Sequence, residues 1–153
     1  MQNIFEFTPN LIGILGSSSL SDFKLKKKTQ ILSKSNFTLI EVNDLFIIET
    51  YSPWQQLPLV EKEKIFQLLA AKKIKIKFVN DIIVTPKKGI QSPWASKVGD
   101  IFSKCSINIK NIEKVNCYSF CEENNLDALD LNLLHDPLVE NIITDVERVS
   151  DLF

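Results

Sequence analysis

The amino-acid sequence predicts an α+β fold, and three observations carry that expectation. Short β-favouring apolar runs alternate with segments whose apolar residues recur at helical spacing. One element order, β-α-β-β-α-β, reads twice along the chain, over residues of about 10–79 and 80–145. Ser21-Asp22-Phe23 and Ser92-Pro93-Trp94 open the first helix of each half at matching places. At 153 residues the chain fits a single domain, and a half of this size buries too little surface to be robust alone. The halves are therefore expected to pack face to face or to share sheet edges.

In the first half, Leu11 to Leu15 is an apolar run ending at Gly16 and a serine-rich turn. Ser21 is placed to cap a helix from Asp22 to about Ser33, with Phe23, Ile31 and Leu32 inward and lysines outward. Phe37 to Val42 and Leu45 to Tyr51 read as two strands joined by an Asn43-Asp44 turn. Pro53 and Pro58 bound a loop, and Val60 to Lys72 reads as a helix with Ile65, Phe66, Leu68 and Leu69 on its apolar side. Ile74, Ile76 and Phe78 alternate with Lys73, Lys75 and Lys77, the period of a strand with one wet face.

The second half opens with the strand Ile82 to Thr85, broken by Pro86 and Gly89. Ser92 is an N-cap and Pro93 takes the first helical position, where a missing N–H costs nothing. Trp94, Val98, Ile101, Phe102 and Cys105 then form the apolar face of a helix. Ile107 to Ile112 and Cys117 to Phe120 read as a strand pair about the turn-like Glu113 to Asn116. Leu126 to Leu134 reads as a helix halted by Pro137, and Val139 to Ile143 as a last strand.

Composition narrows the function classes. No apolar run is long enough to span a membrane, and Met1 to Asn10 lacks the basic and apolar regions of a secretion signal. Three cysteines, an odd number, give no disulfide framework, which points to a reducing cytoplasm. A net charge of −1 argues against a dedicated nucleic-acid binder. Lys24, Lys26, Lys27, Lys28, Lys72, Lys73, Lys75 and Lys77 could form a basic patch. Interleaved aromatics are sparse, however, and alternating lysines also guard strand edges, so a solvated face is expected.

No catalytic constellation stands out. His135 is the only histidine, and the adjacent Asp136 cannot fold back to orient it as a triad requires. No second histidine or close Cys-x-x-Cys pair gives a zinc signature, and Gly13 and Gly16 do not make a phosphate-binding loop. Trp94 reads as core, Ser92 as a cap, and Lys97 lies on the polar face of its helix.

The stretch from Thr85 to Ile101, T-P-K-K-G-I-Q-S-P-W-A-S-K-V-G-D-I, resembles a motif of one enzyme family. In the N-terminal domain of the large, single-chain phosphoribosylformylglycinamidine synthase of purine biosynthesis it has the form T-P-R-P-G-T-x-S-P-W-S-S-K-A-T-D-I. Leu15 to Phe23 is similar to that family's opening G-S-x-A-L-S-x-F, and Leu134-His135-Asp136, Glu140 and Leu152-Phe153 to the domain's end. The departures are Lys87, Lys88 and Ile90, and Asn111-Ile112-Glu113-Lys114-Val115 where the family has R-x-E-R-G. Lysine cannot reproduce the bidentate fork of arginine at such positions.

The resemblance implies a domain rather than an enzyme by itself. It implies duplicated PurS-like, ferredoxin-related halves packed as an intramolecular pseudo-dimer, in agreement with the repeated element order. It implies a non-catalytic role in assembly and in enclosing the path of ammonia, with the synthetase and glutaminase domains as partners. Interface or channel candidates are Lys87, Ser92, Ser96 and Lys97. ATP, Mg²⁺ and glutamine serve the complete family enzyme, an ATP-dependent ligase, and no cofactor, metal, nucleic acid or membrane is expected at this segment. The linker, synthetase and glutaminase domains are absent from residues 1–153, and a fragment of a longer chain is the expectation. The alternative from another class is a free-standing α+β binding module for nucleic acid or a small ligand.

Overall fold

The computed structural model describes residues 4–18, 20–72 and 78–153. β1 (Ile4–Thr8) and β2 (Leu11–Leu15) pair antiparallel, and α1 (Asp22–Lys34) then leads to the long strand β3 (Leu39–Glu49). A 3-10 turn at Trp54–Gln56 precedes α2 (Leu59–Leu68). β4 (Asp81–Pro86), α3 (Pro93–Lys104) and β5 (Asn111–Phe120) give a second strand-helix-strand unit. Three further 3-10 turns, Leu126–Ala128, Leu131–Leu133 and Val146–Asp151, flank the short strand β6 (Glu140–Ile143). The strands form one sheet in the order β1-β2-β3-β5-β4-β6, with every neighbouring pair antiparallel. The α+β expectation holds.

Strand register decides which side chains meet the helices. Val42 faces Tyr118, Phe46 faces Lys114 and Ile48 faces Ile112 across the β3–β5 ladder, so these share one face of the sheet. That face packs against Leu32 of α1, Ile65 of α2 and Phe102 of α3. Leu45, Ile47, Val115 and Cys117 point to the opposite face, where Val149 and Leu152 cover them. Among the described residues the largest fully buried side chain is that of Trp54, whose backbone N–H donates to the Pro9 carbonyl at 2.8 Å.

The three α-helices among the described residues end alike. The residue after each C-cap takes a positive φ: Asn36 at 66°, Ala70 at 49° and Ser106 at 60°. In each case the next N–H reaches back to the same carbonyl of the last turn: Phe37 to Leu32, Ala71 to Phe66, and Ile107 to Phe102. This is the Schellman closure with its apolar contact, made here without glycine.

The structure corrects several sequence expectations. The two expected hairpins do not exist: Leu39–Glu49 and Asn111–Phe120 are each one continuous strand. Asn43 and Asp44 stay in β3 because they are paired there. Lys72 Nζ donates to Asn43 Oδ1 at 2.8 Å, and the Asp44 carbonyl accepts from Gly16 N–H at 2.8 Å. The first half thus reads β2-α1-β3-α2 and the second β4-α3-β5-β6, with each expected strand pair merged into one long strand and β1 added ahead of the first half. The helix expected over Leu126 to Leu134 is two 3-10 turns, each started by an acidic or amide side chain, Asn125 or Asp130, capping two residues ahead. Of the strand read over Lys73 to Phe78, residues 73–77 lie outside the described residues, and Phe78 stacks edge-on against Phe5 with centroids 4.9 Å apart. Phe23 and Ile31 are on the outside of α1, since Leu25, Thr29 and Leu32 already occupy its sheet side.

Candidate functional site

β4 delivers the chain through Pro86 into a turn closed by the Ile90 N–H on the Lys87 carbonyl at 2.9 Å. Gly89 sits at φ 87° in this turn, a conformation that L side chains rarely adopt. The Lys87 N–H donates to the Val139 carbonyl at 3.0 Å, tying the turn to the chain just before β6. Ser92 then caps α3, its Oγ accepting from the Ala95 N–H at 3.0 Å, and Pro93 begins the helix as expected.

The cap is itself held by a buried carboxylate. Ser92 Oγ donates to Glu113 Oε1 at 2.6 Å, and the Ser92 N–H donates to Oε2 at 3.3 Å. The Lys114 N–H also donates to Oε1, at 3.0 Å. Glu113 is 4% exposed, so its carboxyl oxygens are satisfied by these donors rather than by water. A residue that sequence alone places in a turn therefore bolts α3 to β5.

A second contact lies beside it. The Trp94 ring stacks on Phe46, with centroids 5.6 Å apart and planes 18° from parallel, and Lys114 Nζ lies 5.4 Å from the Trp94 centroid. Phe46 reaches this position because residue 16 is glycine. A Cβ at Gly16 would come within 2.5 Å of the Phe46 ring. Trp94 is half-buried against the core rather than enclosed by it, a correction to the expectation of a core tryptophan.

Of the candidates named from sequence, the structure brings Ser92 into this cluster and leaves Ser96 and Lys97 exposed on the outer side of α3. Lys87 is half-buried and serves the turn through its backbone. Glu113, Lys114, Phe46 and Gly16 were missed as site residues. The glutamate within Asn111-Ile112-Glu113-Lys114-Val115 was the one signal available for them. Along the same helix a groove of about 160 Å³ runs between α3 and residues 107–112, lined by Gln91, Ala95, Gly99, Ser103, Asn108 and Asn111 among others.

Titratable groups elsewhere are structural in setting. His135 Nδ1 lies 2.8 Å from the Leu131 carbonyl, closing the 3-10 turn. Burial pushes the Cys117 thiol up to about 12, with Asp81 adding to the effect. Tyr118 is likewise pushed up to about 12, chiefly by burial and then by Glu140. Lys28, whose Nζ lies 5.6 Å from the Tyr118 ring centroid, is held below its usual range by burial, which the opposing pull of Glu140 does not cancel. Among the described residues no three His, Cys, Asp or Glu side chains converge where they could hold a metal ion, and no helix is long and apolar enough to cross a membrane.

A family model described as formylglycinamide ribonucleotide amidotransferase N-terminal matches residues 45–153. The chain belongs to that family. The match takes in the Thr85–Ile101 segment, the Ser92–Glu113 cap and the Trp94 stack, and it begins within β3. The family is the N-terminal domain of phosphoribosylformylglycinamidine synthase, and it gives this chain a role in that enzyme and in purine biosynthesis.

Proposed function

We propose that this domain is a non-catalytic assembly and ammonia-coupling module of phosphoribosylformylglycinamidine synthase, with the synthetase and glutaminase domains as its partners. The observation that carries the reading is the mounting of α3. Its first turn is fixed to β5 by Glu113 and to β3 by the Trp94–Phe46 stack, while Ser96 and Lys97 stand exposed one turn on. A rigidly held helix with a polar outer face can position a neighbouring domain without contributing chemistry of its own. In this reading ATP, Mg²⁺ and glutamine act on the other domains, and the setting is cytoplasmic, in keeping with three free thiols.

The test is made in the complete enzyme. Lys97→Glu is expected to lower glutamine-dependent amidine formation about tenfold, equivalent to about 1.4 kcal/mol at the coupling step. The rate with added ammonia should be unchanged. If the glutamine-dependent rate also stays at its original value, Lys97 is ordinary solvated surface and the coupling role falls.

We infer further that the two halves are PurS-like repeats paired as an intramolecular pseudo-dimer. Support comes from β2-α1-β3 and β4-α3-β5 lying on either side of the antiparallel β3–β5 ladder. It comes also from the matched helix ends, where Leu32, Asn36 and Phe37 do what Phe102, Ser106 and Ile107 do. Residues 1–79 and 80–153 co-expressed as separate chains should assemble into a folded pair. Two chains that remain unfolded together would count against the repeat.

A further inference from the structure

Helix α1 turns an aromatic side chain away from the molecule. Phe23 is 76% exposed and Ile31 38% exposed, although the same helix buries Leu32 against the sheet. With about 100° of rotation per residue, Phe23, Lys27, Gln30, Ile31 and Lys34 lie along one outer stripe, flanked by Lys24 and Lys26. The helix carries five lysines and one aspartate, Asp22, in its first turn. A phenylalanine this exposed buries little of its ring in the domain's own core.

An aromatic side chain surrounded by charged ones has the make-up of an interface anchor: the ring fills a notch and its surroundings exclude water from it. The lysines along the stripe, against a single aspartate, select a partner of opposite charge and disfavour basic surfaces. A single aromatic on the stripe does not offer stacking platforms for successive bases. Nor is the outer face apolar enough to enter a lipid surface, because lysines interrupt it and the main apolar side chains of α1 face the sheet.

We propose that this stripe docks on an acidic surface elsewhere in the same synthase, with Phe23 seated in an apolar notch and Lys24, Lys27 and Lys34 facing carboxylates around it. The proposal rests on the reading of this domain as a part of that enzyme. It assigns the domain a second contact, on α1, in addition to the α3 face around Lys97.

Site-directed photocrosslinking in the complete synthase tests it, with p-benzoylphenylalanine placed at position 23 or, separately, at position 97. Both positions are exposed, so the photoreactive group does not disturb the core. Irradiation from position 23 should yield a crosslink to an Asp- and Glu-rich peptide of the synthetase or glutaminase portion. Its yield should fall about fivefold or more with Lys27→Glu or in about 0.5 M salt. Crosslinks from position 97 but none from 23 would overturn the α1 docking surface and leave the coupling role standing. A crosslink from position 23 only to a second copy of the domain, or only to bound RNA, would also overturn it. No crosslink to other portions of the synthase from either position would overturn both.

Discussion

Ser92 Oγ and Glu113 Oε1 lie 2.6 Å apart, joining the first residue ahead of α3 to the middle of the sheet. The serine is both an acceptor for the helix N-terminus and a donor to a carboxylate that is 4% exposed. Helix cap and tertiary contact are thus the same hydroxyl. Ser92→Ala should cost about 1 kcal/mol for the cap, and about 1–3 kcal/mol more for the donor taken from a buried carboxylate. Urea melts read the sum. A total loss under about 0.5 kcal/mol would show that Glu113 is satisfied without Ser92.

Gly16 and Phe46 test close approach. A methyl group at position 16 would meet the Phe46 ring at 2.5 Å, and that ring supports Trp94. Gly16→Ala is expected to cost about 1–3 kcal/mol and to alter the near-ultraviolet circular dichroism of Trp94. Adding Phe46→Leu should recover part of the loss by making room. An unchanged spectrum with full stability would mean that the ring moves aside freely.

The two tryptophans should differ. Trp54 is fully buried, and Trp54→Ala is expected to cost about 3–5 kcal/mol. Trp94 is half-buried between Phe46 and Lys114, so Trp94→Ala should cost less, about 1–2.5 kcal/mol including the lost cation–π contact. Denaturant midpoints measured side by side decide the order. A larger loss at Trp94 would make the stack, rather than the interior, the stronger hold on the helices.

Alkaline pH should destabilise the domain in a defined window. Cys117 moves from an ordinary 9.0 to about 12 in the folded chain, and Tyr118 from 10.0 to about 12. Above pH 9 the unfolded state releases these protons first, so the folded state holds more protons and stability falls with rising pH until about 12. Lys28 acts in the opposite sense: its lowered folded value makes stability rise as pH approaches 10.5. Cys117→Ala should flatten the decline above pH 9 in melts run across that range. An identical slope with and without the thiol would remove Cys117 from the account.

Much of the site was legible locally. Ser92-Pro93 marks a helix start because capping and proline geometry involve only neighbouring residues, and the structure places both where the sequence does. Ser21 is the same case, its side chain accepting from the Lys24 N–H. Glu113 was not legible as a partner of Ser92, because nothing in the intervening residues announces that β5 will bring it there. Its neighbours Lys114 to Asn116 read as a turn for the same reason.

Caps and periodicity, which involve only neighbouring residues, fix where α1 and α3 begin, the α+β class and the separation of apolar runs that builds the sheet. That β3 runs unbroken through Asn43-Asp44 depends instead on packing, because turn-forming residues remain in a strand when distant groups such as Lys72 and Gly16 take up their polar atoms. The tertiary structure also decided that Phe23 faces outward. Helical spacing orders side chains around an axis, but which side of that axis meets the sheet depends on the packing of Leu25 and Leu32 against strands far along the chain.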